Sequence, residues 1–152
     1  MDKKFNPEKL TITDFKVIKG EIEAPFEFDC DAIKDYETDL SFNASFIVDK
    51  KIIKADIGFV IETNSSTEQK EAKAKFDLVY VFKVENLQEL IVLEEEKIVD
   101  FELALLTAIA AISFSTSRGV FLTRLKGTAL KDYMLPVIDP KKLLAEWIEV
   151  KE

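Results

Sequence analysis

Ala72, Ala74, Phe76, Leu78, Tyr80, Phe82 and Val84 alternate without a break through the stretch 72–84, with Lys73, Lys75, Asp77, Val79, Val81 and Lys83 between them. Side chains alternate across a strand, so this period of two predicts a long β-strand with one apolar face. Val79 and Val81 make the centre of the second face apolar as well, which a fully solvated face would not require. The run before it repeats the pattern, with Ile53, Ala55, Ile57, Phe59 and Ile61 on one parity and a polar loop at 64–70 behind them. Leu40, Phe42, Ala44, Phe46 and Val48 give a further half-buried strand, joined to its successor by a turn at Asp49-Lys50-Lys51. Further back, Leu10 and Ile12 precede Phe15 and Val17 with the phase slipping at Thr13-Asp14, the signature of a strand with a β-bulge. Gly20 and Pro25 bracket its far end. Residues 29–39 read as a polar connection with Ile33 and Tyr36 holding it to the core.

After Glu94-Glu95-Glu96 the period changes to about 3.6, predicting a helix in which Ile98, Phe101, Leu105, Ala108, Ile109 and Ile112 form one stripe. A second stripe holds Val99, Leu103, Leu106, Ala110 and Phe114, so the helix is apolar nearly all round and must be buried on two sides. One side can pack on the sheet. For the other, at Val99, Leu103, Leu106 and Ala110, the chain offers little cover, and a homo-oligomer interface is expected there. A membrane span is the competing reading, but Asp100 and Glu102 shorten the run below the roughly 20 apolar residues a span needs. The acidic run suits the positive end of the helix dipole, and Arg118 with Gly119 suits its C-terminal cap. Leu135-Pro136-Val137-Ile138 reads as extended chain. Asp139 and Pro140 then open a last helix whose apolar stripe is Leu143, Leu144, Trp147 and Ile148.

Composition narrows the chemistry. The 152 residues suit one domain, 1–152, and the apolar content of 47% argues for a globular fold. No histidine is present, which removes Ser-His-Asp and Cys-His catalysis together with the commonest transition-metal ligand. Four glycines, at 20, 58, 119 and 127, cannot write a phosphate-binding loop. The carboxylates of Glu94-Glu95-Glu96 leave acid-base hydrolysis formally open, with a solvated helix start as the plainer reading. Asp29-Cys30-Asp31 is a poor metal site because neighbouring residues on an extended segment point apart. We therefore expect no catalytic residue, metal or cofactor. A net charge of −8 without a basic cluster disfavours nucleic acid. One cysteine and no apolar leader segment fit a cytoplasmic protein. Phe is abundant at 12, more than one sheet face and two helices readily absorb, so some aromatics are expected to contact a partner. Phe42, Phe46, Phe59 and Tyr80 are the candidates, with burial in the core as the alternative for each.

The order of segments and the stretch Ala111-Ile112-Ser113-Phe114-Ser115-Thr116-Ser117-Arg118-Gly119-Val120-Phe121 resemble the SecB family of export chaperones, whose long helix ends in a similar Ser-Arg-Gly-Thr-Phe motif. Leu135-Pro136-Val137-Ile138 and the Leu143-Leu144 helix resemble that family's crossover and final helix. The resemblance implies an α+β fold: a four-stranded antiparallel sheet packed against one long apolar helix and a short C-terminal helix, assembled as a dimer of dimers. It also implies ATP-independent binding of unfolded client polypeptides in apolar grooves and their delivery to the motor SecA, for which Asp14 matches an acidic docking position. The corresponding last-strand position is Lys83. A dedicated interaction module, or a SecB-like chaperone serving an antitoxin, is the alternative.

Overall fold

A computed structural model describes residues 5–151, with side chains through Ile148. Its elements are β1 (Leu10–Glu23), β2 (Ile33–Ile47), β3 (Ile52–Ser65), β4 (Lys73–Val84), α1 (Leu87–Leu90), β5 (Ile91–Glu94), β6 (Lys97–Phe101), α2 (Leu103–Arg124) and α3 (Pro140–Lys151). The first four strands make one antiparallel sheet in the order β1-β4-β3-β2, while β5 and β6, among the described residues, pair only with each other. The apolar parities of β3 and β4 are all buried, as the alternation requires.

Strand β1 carries the bulge expected at Thr13-Asp14, where Asp14 Oδ1 accepts the Phe15 amide at 2.8 Å. A second bulge at Ile18 leaves that side chain 63% exposed. Gly20 does not end the strand but sits inside it, where a Cβ would come within 3.1 Å of the Phe76 ring. Residues 33–39 are also strand rather than connection, since Asp35, Glu37 and Asp39 are the solvent face of edge strand β2. On its inner face Tyr36 meets Tyr133 edge-on at 5.1 Å, and Thr38 Oγ1 lies 2.6 Å from the Tyr133 hydroxyl.

The helix begins five residues later than its periodicity suggests. Glu95 and Glu96 both adopt left-handed backbone, φ 51 and 65, and fold 91–101 into a hairpin that pairs Ile91 with Phe101 and Leu93 with Ile98. The acidic run is thus a hairpin tip and not the start of the helix. At the other end α2 continues through Gly119 to Arg124, and the left-handed glycine is Gly127, φ 76. Arg118 is no cap: its Nε donates to Leu135 O at 2.9 Å and its Nη2 to Pro136 O at 3.0 Å, fastening the crossover to the helix.

Aromatic packing joins helix and sheet. The Phe121 ring lies 4.7 Å from Phe59, 5.2 Å from Phe76 and 6.4 Å from Tyr133. Tyr80 is fully buried with its hydroxyl 2.9 Å from Ser117 Oγ, which in turn donates to Ser113 O. Burial raises the Tyr80 and Tyr133 phenols above their ordinary pKa. By length and hydropathy α2 could cross a membrane, but Leu105, Ile109, Phe114 and Phe121 are buried inside the protein. The opening of α3 is as expected, with Asp139 Oδ1 accepting the Lys141 amide at 2.9 Å.

Candidate functional site

Helix α2 does not cover the whole inner face of the sheet. At the β2 edge, Ala44 and Phe46 point toward the β5–β6 hairpin and α3, and an apolar groove of about 240 Å³ opens between them. Its walls are Ala44 and Phe46 from β2, Ile98, Val99, Asp100 and Phe101 from β6, and Trp147 from α3. The Phe101 ring is the centrepiece, 6.5 Å from Phe46 and 6.0 Å from Trp147.

Local structure explains why these side chains converge. The register of β5 and β6 slips so that Val92 pairs with Asp100 and Leu93 with Ile98, which leaves Val99 bulged and 52% exposed in the groove. Trp147 reaches the site because α3 presents it beside buried Leu143 and Leu144. Its Nε1 donates to Asn43 Oδ1 at 2.9 Å and its ring meets Phe42 edge-on at 6.1 Å, so the indole is fixed in orientation. Asp100 supplies the lining's one carboxylate, and its Oδ1 accepts the Phe101 amide at 2.9 Å. Such a surface can hold apolar side chains by excluding water from both partners. A larger hollow of about 470 Å³ at the end of the sheet, between Glu23, Glu62, Lys70, Glu71 and Lys73, is lined mainly by charges of both signs.

The expected site residues separate cleanly. Phe46 lines the groove, and Phe42 stands behind it at 8% exposure as the support of Trp147. Phe59 at 1% and Tyr80 at 0% are interior residues beneath α2. Of the stripe expected to contact another subunit, Leu106 and Ala110 are fully buried within the chain. Val99 belongs to the hairpin and not the helix, and Leu103, the first residue of α2, is 51% exposed. Asp14 is exposed on β1 and caps the bulge there. Sequence reasoning misses Ile98, Phe101 and Trp147. The two β6 residues fit a helical stripe and Trp147 a core stripe, although a lone Trp on a terminal helix is a signal of its own.

A four-stranded antiparallel sheet carrying one long helix and one C-terminal helix, in this chain order, is the SecB-like fold. Among solved structures the chain is similar to a SecB-like chaperone of Mycobacterium tuberculosis, determined in complex with a ChAD peptide from the HigA1 antitoxin. The TM-score is 0.54 over 86% of this chain and 92% of that one, at 16% sequence identity. No protein family and no curated protein matches the sequence.

Proposed function

We propose that the protein is a cytoplasmic, ATP-independent chaperone that holds apolar segments of non-native polypeptides in the groove between β2, the β5–β6 hairpin and α3. The observation that carries this reading is the convergence of Phe46, Ile98, Val99, Phe101 and Trp147, drawn from three separate elements, on one open apolar cleft. A fold gives no function by itself; function resides in the site it carries. The protein should suppress aggregation of several unrelated unfolded proteins at stoichiometric ratios, as read by light scattering. Val99→Asp, which puts a charge at an already exposed position, should weaken binding of an unfolded polypeptide about tenfold or more and leave the unfolding transition in place. Unchanged binding by that variant would remove the groove from the function.

A second reading is a chaperone dedicated to one partner such as an antitoxin. It is favoured by the peptide bound to the similar mycobacterial protein. Protection of a single partner and no other would select it.

Self-assembly through the outer face of α2 is part of the proposal. That face presents Ala104, Ser115, Gly119 and Leu122, all exposed. Gly119 costs the helix about 1 kcal/mol relative to alanine, yet a Cβ there would touch nothing within 4 Å. The fold itself does not need the glycine. A second copy's helix, approaching closely, would. Sedimentation equilibrium should give a dimer or tetramer, and Ser115→Arg should dissociate it. A 17.3 kDa monomer at micromolar concentration would exclude the assembly.

A further inference from the structure

We propose that the β5–β6 hairpin is a hinged flap, whose swing away from β2 and α3 admits a client segment to the groove. The inference rests on reading that groove as the client site. The hairpin contributes one of the three walls, through Ile98, Val99 and Phe101, but among the described residues belongs to no larger sheet. A two-stranded hairpin on its own is marginally stable in water.

Its two ends are held very differently. At the base Leu87, Leu90 and Ile91 are buried, and the Glu102 amide donates to Leu90 O at 2.7 Å, so the chain enters and leaves through a fixed point. Toward the tip Val92 and Leu93 are 40% and 43% exposed, and every residue from Val92 to Lys97 is exposed. The turn itself works against closure. Both central residues of a tight two-residue hairpin turn need left-handed backbone, for which Asn-Gly is the favoured pair. Here the pair is Glu95-Glu96, at φ 51 and 65, and each side chain disfavours that conformation by about tenfold. Three successive carboxylates at Glu94, Glu95 and Glu96 add mutual repulsion at the same point. A strained tip on an anchored base gives a unit that frays from the turn and pivots about Leu90 and Glu102, moving Ile98 and Val99 relative to Phe46 while Phe101, paired with Ile91, stays with the base.

The sequence carries one Trp, and it lines this groove, so Trp147 emission reports the flap directly. In the wild-type protein, amides of 92–94 and 97–100 should exchange hydrogen at least about 100-fold faster than those of 53–61 in β3. Replacing the turn by Glu95→Asn with Glu96→Gly relieves the strain and cannot unfold the protein by creating a cavity. That variant should slow hairpin exchange about tenfold or more, reduce acrylamide quenching of Trp147, and slow association with an unfolded polypeptide in 0.5 M salt. Glu95→Gln with Glu96→Gln, which removes the charges and keeps the backbone strain, should reproduce none of this at that salt concentration. Wild-type hairpin amides as protected as β3, or slowed exchange with Trp147 quenching unchanged, would overturn the flap. Should the wild type bind no unfolded chain at all, the client reading fails while the exchange and quenching results still decide whether the flap moves.

Discussion

Phe59→Ala should lower folding stability by about 3–5 kcal/mol, the range expected when a large aromatic is removed from a packed core. Phe59 is 1% exposed, with the Phe121 ring at 4.7 Å and nearly perpendicular to it and the Phe114 ring at 6.3 Å. Its removal leaves a cavity where sheet and long helix lock together. Urea denaturation should show the midpoint falling with little change in slope. Phe46→Ala should behave differently, because Phe46 is half-buried at the groove wall: a smaller loss of stability and a larger loss of client affinity. If Phe59→Ala costs under about 1 kcal/mol and abolishes client binding, the division between core and groove is drawn in the wrong place.

Arg118→Met is expected to cost about 2 kcal/mol and, more tellingly, to loosen one segment selectively. The guanidinium holds two crossover carbonyls, Leu135 O and Pro136 O, and lies 5.6 Å from the centre of the Phe114 ring. Hydrogen bonds to a charged donor contribute about 1.5–3 kcal/mol each when shielded, and partial exposure of Arg118 reduces that. Methionine keeps the stem's packing and loses both bonds. Limited proteolysis should then cut between Met134 and Ile138 several-fold faster, while the sheet keeps its protection. Arg118→Lys should restore little of that protection, since an ammonium lacks the planar fork that spans two successive carbonyls. Unchanged proteolysis in Arg118→Met would mean that the crossover is held by Leu135 and Tyr133 packing alone.

These residues mark where the sequence is legible. Strands β3 and β4 are plain because they are interior strands with one face against a helix, and burial writes itself as strict alternation. The bulge at Thr13-Asp14 is legible for the same reason: it shifts that alternation by one. The bulge at Ile18 is not, because Val17 and Ile18 are both apolar and hide the slip. The hairpin escapes for a physical cause, since Ile98 and Phe101 fit a helical spacing and no Asn-Gly announces the turn. Backbone strain at Glu95 and Glu96 leaves no mark in a pattern of apolar residues. The same error displaces the site. With 98–101 assigned to a helix, Val99 joins an interface stripe and the groove loses a wall, so the aromatic surplus is sought among strand residues that are mostly core. Arg118 is misplaced because a cation beside a glycine fits a C-cap, and only the return of the crossover at Leu135 gives it another partner. The SecB-like order of elements is nonetheless recoverable, because it depends on which segments are strands and which are helices and not on where each begins.

Sheet order has a consequence for biosynthesis. In the order β1-β4-β3-β2 the first strand of the sheet to leave the ribosome finds its neighbour in the last, with Leu10 beside Val84 and Glu23 beside Lys73. Strands β2, β3 and β4 form a meander of adjacent segments that can close as soon as each is made. Until β4 has emerged, β1 has no place to go. Leu10, Phe15, Val17 and Ile22 then remain on an unpaired strand throughout that interval, the state in which nascent chains are most prone to misassembly. Every copy of this protein is therefore, for a time, the kind of unfinished polypeptide that the proposed client groove would take up.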